Sequence, residues 1–560
     1  MISLNKTFVA LSAAAMLFVA CSKDTPKKII RTEGGQIEAP ALSWDGNVRS
    51  DITYQVLVYS FADSDGDKVG DFKGIENHLD YFSSLGVSAL WLSPIHPSSS
   101  YHGYDVTDYE TVNPAYGTEA DFKSLLDAAH AKGIKIYLDY VLNHTASAHP
   151  WFKSAKASKD SPYRNFYIFS ENPSADIAAG KIPQIATEGA KGYDSGQWFH
   201  TGTGNEMFHS HFWTDWFADL NYGPAAEAEK SDAFKALTSA ADKWINLGVD
   251  GFRLDAVKHI YHNAYSSENP MFLKKFYDRC NTTFKARGGN GDFYMVGEML
   301  DDCNKVAPYY AGLPALFEFS FWYKLKWALQ NNTGLYFAHD IISMQSAYSQ
   351  YRTDYIEATK LSNHDEDRAG SDLDKSKEKM KLAAAVLMTS QGHPYIYQGE
   401  ELGYWGTKSR GDEYVRAPII WDRSSTNTAT AGVNGKYDSG MLTKAMSVEA
   451  QSEDNNSVLS VYRYFTKLRN AHPALASGKM SKHPDYDETR QTDKNIAAWF
   501  IEGDGEKLLV VHNFGNTQYD AYFHDDLSQA IGLHGTASAY KAVDTWKLTL
   551  GAYSSVIFRQ

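Results

Sequence analysis

Cysteine is scarce in this chain: three residues in 560, at positions 21, 280 and 303. No Cys/His spacing of the zinc-binding kind occurs, so neither a disulfide framework nor a structural zinc site organises the fold. Cys280 falls inside the predicted helix Met271–Lys285, and Cys303 follows the predicted strand end at Glu298. An oxidising compartment would permit the two to pair, but those positions argue against it. Basic charge is also short. Lys and Arg total 54 against 68 Asp and Glu, a net charge of −14, which disfavours nucleic acid and anionic membrane faces as partners. The stretch Gly288–Gly291 lacks the G-x-G-x-x-G spacing and the setting of a nucleotide loop. Beyond residue 20 there is no second apolar span, and no internal repeat is present.

The first 20 residues read as a targeting segment. Lys6 precedes an apolar run, Phe8–Ala20, too short to span a bilayer comfortably. It stops at Phe18-Val19-Ala20-Cys21, which resembles a bacterial lipoprotein cleavage site, with Cys21 as the lipid-bearing first residue after processing. An ordinary signal peptide with an incidental Cys is the alternative. Residues 21–45 read as a polar tether. The remainder has the composition of a globular protein, 43% apolar and 22% charged, and its length points to roughly two to four domains. Aromatics reach 14%; most must be core, and the rest are available as flat stacking faces.

The chain is organised around Gly251-Phe252-Arg253-Leu254-Asp255-Ala256-Val257-Lys258-His259. Its apolar start reads as a buried strand, and residues i and i+2 of a strand share a face, so Arg253 and Asp255 point into the same space. A neighbouring guanidinium favours the ionised carboxylate, the form a nucleophile needs. Taken alone, the pair reads more readily as a buried structural ion pair. Repetition reverses that. Asp292–Glu298 and Ala358–Asp365 are strand-like runs that also end on carboxylates, and Ile134–His144 ends on Asn143 and His144. Four strands separated by helix-sized segments, each with polar chemistry at its C-terminal end, are the layout of a (β/α)8 barrel active site, fold class α/β. Three converging acids suggest hydrolysis of a glycosidic bond.

In order and spacing these four stretches resemble the signature regions of the α-amylase family of glycoside hydrolases. Phe217–Asn221 resembles that family's short motif near the end of its inserted domain. The lipoprotein start, Tyr59–Asp67 and Tyr101–Asp105 are similar to the cell-surface, neopullulanase-type members that serve bacterial starch-utilisation systems. The resemblance implies a TIM barrel over 46–144 and 214–474, an inserted subdomain over 145–213 after strand 3, and a C-terminal antiparallel β-sandwich over 475–560. The residues agree. Periodicity fades from Thr145 to Trp213, too long for a βα loop, and Ala497–Ile501, Lys507–Phe514 and Tyr553–Phe558 read as strands.

The resemblance also implies roles. Asp255 would be the nucleophile, held charged by Arg253; Glu298 the acid and then the base; Asp365 the carboxylate that binds hydroxyls of the distorted ring. Tyr104 would stack under the sugar, with His102, Asp105, His144 and His364 around the same glucose and Lys258 and His259 on the leaving-group side. Arg368 and Arg416 would reach hydroxyls further out, or stand as solvated surface charges. Asp63, Asp65, Asp67 and Asp71 follow the first predicted strand, and acids at every second position can converge on one hard cation. Their spacing is not that of an EF-hand, and a solvated acidic turn is the alternative. The resemblance implies Ca2+ there, completed by the Val69 carbonyl. It implies a second Ca2+ on Asn143, Asp219 and the His259 carbonyl, where side chains satisfying loop backbone are the alternative.

The implied activity is retaining, endo-acting hydrolysis of α-1,4 links in starch and maltooligosaccharides, with pullulan a further candidate substrate. It would take place at the outer membrane, facing outward, with surface glycan-binding and transporter proteins as candidate partners. The rivals are an α-1,6-glucosidase, pullulan hydrolase or transglycosylase on the same barrel, and a non-catalytic starch-binding accessory protein. The Ala256-Val257-Lys258-His259 tail resembles that of the family's α-1,4-acting members more than that of its oligo-1,6-glucosidases. The presence of all three acids speaks against a non-catalytic protein.

Overall fold

The computed structural model describes residues 34–42, 44–185, 192–425, 428–486 and 493–560. Cys21 lies outside the described residues. Eight parallel strands close a barrel: β1 (Thr53–Val56), β2 (Ala89–Leu92), β3 (Lys135–Tyr140), β4 (Gly251–Leu254), β5 (Tyr294–Gly297), β6 (Ala315–Glu318), β7 (Ile356–Lys360) and β8 (His393–Tyr397). Parallel strands wrapped by helices are covered on both faces, which is why these runs are apolar almost throughout; β1, β2, β4, β6 and β8 are buried at every position. Trp91, Tyr137, Val296, Phe317 and Tyr395 pack together to fill the interior.

Local chemistry sets the helices. Glu119–Ala131 starts on a capping box between Thr118 and Asp121. Asp232–Leu247 is capped by Ser231, buries Phe234, Leu237, Ala241, Trp244 and Ile245 at helical spacing, and stops at Gly248 with φ 135°. Lys377–Thr389 is capped by the Ser376 side chain and Val458–Ala471 by Ser457. After the acidic turn come two short helices, Phe72–Asn77 and Leu79–Ser84, because Asp71 caps the first and His78 leaves helical geometry between them. β6 stops at Glu318, since the Glu318 side chain accepts the Ser320 amide and starts the helix Phe319–Gln330.

The insert between β3 and β4 carries the helices Pro150–Ala157 and Pro173–Ala178 and a three-stranded sheet of Phe169–Ser170, Met207–His209 and Trp198–His200. Its base is sealed where His144–Ala146 pairs with Phe217–Asp219, with His144 opposite Asp219. At the C-terminal end, a five-stranded and a four-stranded antiparallel sheet share one apolar core that includes Phe500, Val511, Leu548 and Leu550. The expected tether over 21–45 is not wholly loose: Gly34–Ile37 is the edge strand of the four-stranded sheet, paired with Ala537–Tyr540. Gly34 has φ 144°, and a Cβ there would lie 2.2 Å from the Ala539 carbonyl oxygen, so the close pairing requires glycine. Among the described residues no helix is long and apolar enough to cross a membrane.

Candidate active site

Arg253 and Asp255 share a face at the end of β4, with Arg253 Nη1 2.8 Å from Asp255 Oδ1. Arg253 is the hub of a larger group. The same Nη1 donates to both oxygens of Asp139, at 2.8 and 3.0 Å, and Nη2 forms an ion pair with Glu298 Oε2 at 2.9 Å. Glu298 Oε2 also accepts the Ala256 amide at 3.2 Å, so the acid at the end of β5 reaches the backbone beside Asp255. The guanidinium lies over the Trp91 ring, 5.1 Å from its centroid. One cation therefore serves three carboxylates.

Asp365 joins through a second relay. The Tyr104 hydroxyl donates to Asp139 Oδ2 at 2.9 Å, and its oxygen faces His364 Nε2 at 2.5 Å. The Gln55 amide donates to His364 Nδ1 at 2.8 Å, which leaves the ring hydrogen on Nε2, 3.0 Å from Asp365 Oδ2. Arg416 Nη2 (2.9 Å) and Lys408 Nζ (3.6 Å) flank Asp365 from the other side. Three carboxylates stay open to solvent: the side chains of Asp255, Glu298 and Asp365 are 13, 16 and 35% exposed, whereas Arg253 and Asp139 are at 0%.

Burial pushes the inner carboxyls up, Asp139 and Asp255 to about 6 and Glu298 to about 7. Arg253 opposes the rise in all three. Its hold on Asp255 is weaker than the sequence suggests, because burial outweighs it and Asp139 competes for the same guanidinium. The order is what matters chemically: between those two values Asp255 is mostly ionised while Glu298 keeps its proton. At Asp365 burial also disfavours the charge, but His364, Arg416, Lys408 and Arg253 together hold the carboxyl well below its usual range.

Asp139, Gln55 and Lys408 escaped the sequence reading. Asp139 lies within Ile134–His144, but its role depends on β3 and β4 pairing with Asp139 directly beside Arg253, and no single run reveals that. The other expected residues divide. The Tyr104 ring lies parallel to His364, with centroids 5.3 Å apart. His144 is buried with Nε2 3.2 Å from the Tyr104 carbonyl, and His102 Nδ1 accepts the Tyr104 amide. Lys258 Nζ donates to the Leu300 carbonyl at 2.5 Å. Asp105 is turned to its own loop, accepting the Ser99 amide at 3.0 Å and the Ser100 hydroxyl. Arg416 is buried and acts on Asp365 and on the His364 carbonyl (3.0 Å) rather than as a surface charge. Arg368 is neither solvated nor turned to the site: it is buried, stacked on Tyr397 and bonded to the Gln398 carbonyl at 2.7 Å.

Asp63, Asp65 and Asp71 offer carboxylate oxygens within 4.8 Å of one another. An all-oxygen set of this kind suits a hard cation such as Ca2+. Asp67 turns instead to the Val69 amide, at 2.7 Å. The residues expected to hold a second Ca2+ do meet, with Asn143 Nδ2 3.3 Å from Asp219 Oδ1. However, Asp219 Oδ2 is taken by His209 Nδ1 (2.7 Å) and the His211 amide (2.9 Å). The surroundings, His209, His211 and the His259 ring tilted against His211 at 4.1 Å, are imidazoles, which suit a hard cation poorly.

The family described as Alpha amylase, catalytic domain, matches residues 55–478, and that described as Alpha-amylase SusG C-terminal domain matches residues 496–557. The chain is 45% identical to Alpha-amylase SusG of Bacteroides thetaiotaomicron over 681 aligned positions covering 98% of each chain. Those positions outnumber the residues here, so SusG carries segments this chain lacks. Alpha-amylase 3 of Dictyoglomus thermophilum is 36% identical over 91% of this chain and 93% of its own length. The crystal structure of the α-amylase from H. orenii matches with a TM-score of 0.78 at 29% identity, covering 91% of this chain and 99% of that one. With likeness running through barrel and sandwich together, and acids gathered at the barrel's strand ends as such an enzyme requires, the chain belongs to the α-amylase family of glycoside hydrolases.

Proposed function

We propose that the protein is a retaining, endo-acting hydrolase of α-1,4 links in starch and maltooligosaccharides, anchored through Cys21 at the outer membrane with its active site outward. The observation that carries the mechanism is the Arg253 fork, which binds Asp255 at one amino group and Glu298 at the other. Two carboxylates sharing one guanidinium fit the separation of roughly 5–5.5 Å at which the second attacks the sugar directly. Asp255 attacks the anomeric carbon while the Glu298 proton passes to the leaving oxygen, giving a β-glucosyl ester. Glu298, now a carboxylate, takes a proton from water, which attacks the same carbon and frees Asp255. Asp365 binds hydroxyls of the distorted ring, and its steady negative charge suits the positive charge that develops there. Tyr104, His102, His144 and His364 surround that glucose, with Lys258 and His259 on the leaving side.

Ca2+ on Asp63, Asp65 and Asp71, with the Val69 carbonyl, would pin the loop after β1. Starch as substrate draws support from the α-amylase relatives, and the anchor from Phe18–Cys21. Proton NMR of the first product tests the mechanism. The α-anomer is expected before mutarotation, and the β-anomer appearing first overturns it. Digestion of starch, pullulan and isomaltose fixes the linkage: release from isomaltose would replace the α-1,4 reading with an α-1,6 one.

A further inference from the structure

We propose that the cavity enclosed by the helix Val458–Ala471, the segment Ala39–Leu42 and the turn Leu533–Gly535 is a binding site for a phosphate ester. It holds about 680 Å³, within the usual range of small-molecule sites. None of its lining residues belongs to the candidate active site.

Charge of one sign borders it. Arg463, Lys467 and His534 line the cavity, and among the described residues no Asp or Glu does, in a chain whose net charge is −14. The helix brings two of these groups together: Ser460, Arg463 and Lys467 stand three and four residues apart and so share one face. His534 comes from the opposite wall, at the end of the sandwich strand Ala530–His534. That wall is pinned to the helix, because the Leu533 amide donates to the Tyr464 hydroxyl at 3.3 Å.

The donors here are unspent. Arg463 Nη1 donates to the Ser452 hydroxyl at 3.0 Å, but Nε is buried without a partner. That leaves the Nε–Nη2 edge, the side of a guanidinium that grips an oxyanion through two parallel bonds. His534 Nε2 is likewise buried and unpartnered. Burial and Lys381 hold this imidazole down to about 4, so at neutral pH its ring offers an uncharged N–H. Asn456 gives its side-chain oxygen to Lys381 Nζ at 2.8 Å, which leaves its Nδ2 hydrogens to donate. Buried donors cost free energy until they meet an acceptor, and an anion is acceptor alone. The two oxygens of a carboxylate would be used up by the Arg463 edge. A phosphate ester carries three strong acceptor oxygens, enough for Arg463, Lys467 and His534 at once. Pro40, Leu42, Val461 and Leu533 border the remaining space, which suits an ester whose alcohol part has apolar surface.

Calorimetric titration of the full chain with glycerol 3-phosphate, against glycerol as the uncharged control, is the test. Binding is expected for the ester alone. Lys467→Ala and Arg463→Lys should each weaken it roughly 10- to 100-fold, the second because lysine keeps the charge and loses the two-pronged edge. Both variants should hydrolyse starch at the wild-type rate, which shows that they fold. Dihexanoyl phosphatidate then separates the sources of the phosphate: tighter binding than glycerol 3-phosphate assigns a lipid head, and equal binding a soluble ester. No heat from either ester, or affinities unmoved by both substitutions, would overturn the proposal.

Discussion

Asp139 and Arg253 stand side by side on adjacent strands, joined by two hydrogen bonds of 2.8 and 3.0 Å with neither side chain reaching solvent. Removing one partner strands the other as a buried charge. Asp139→Ala should therefore cost about 3–5 kcal/mol of stability, measured as a lower denaturant midpoint. A variant with wild-type stability would show that the pair is not what orients Arg253.

The raised carboxyls set the pH profile. With Asp255 as the proposed nucleophile and Glu298 as the proposed acid, kcat/KM should rise through about 6 as Asp255 loses its proton and fall through about 7 as Glu298 loses its own. The two groups are coupled, and the limbs belong to the pair. Asp139 adds to the rise of Asp255, so Asp139→Asn should move the acid limb to lower pH. A profile flat from pH 5 to 9 would contradict these environments.

Leaving-group chemistry tests the roles proposed for Asp255 and Glu298. Glu298→Gln should slow maltooligosaccharide hydrolysis by about 10²–10⁴ yet spare the release of fluoride from a glycosyl fluoride, which needs no proton. Asp255→Asn should abolish both reactions. Fluoride bursts read by electrode decide this, and equal behaviour of the two variants would exchange or cancel the assigned roles.

Much of this site was legible because each barrel strand is a short apolar run that ends abruptly on polar chemistry. The position of Asp255, Glu298 and Asp365 at those ends is a property of each run by itself. Asp139 and Gln55 were not legible in the same way. Their roles come from strand neighbours and from a relay through Tyr104 and His364, relations between distant parts of the chain. Arg368 failed for the opposite reason: three residues beyond Asp365 a chain can turn into the core, and here it does, onto Tyr397.

The acidic turn after β1 predicts a metal-linked stability. Asp71 both joins the cluster and caps the helix Phe72–Asn77, so loss of a bound ion should loosen the start of that helix. Excess chelator is expected to lower Tm before it lowers kcat, and saturating Ca2+ at 100 times its Kd should restore about 2.7 kcal/mol. Asp65→Ala should erase the difference between the chelated and calcium-loaded melting curves. Identical curves for the wild type would remove Ca2+ from this loop.

The edge strand Gly34–Ile37 has a consequence for where the molecule stands. Only residues 22–33 separate it from Cys21, and even fully drawn out they reach roughly 40 Å. With a lipid on Cys21, the mooring line is therefore made fast to the C-terminal sandwich and not to the barrel. On that anchoring the sandwich would be the keel, held within that reach of the bilayer, and the barrel would be tied to the membrane only through it.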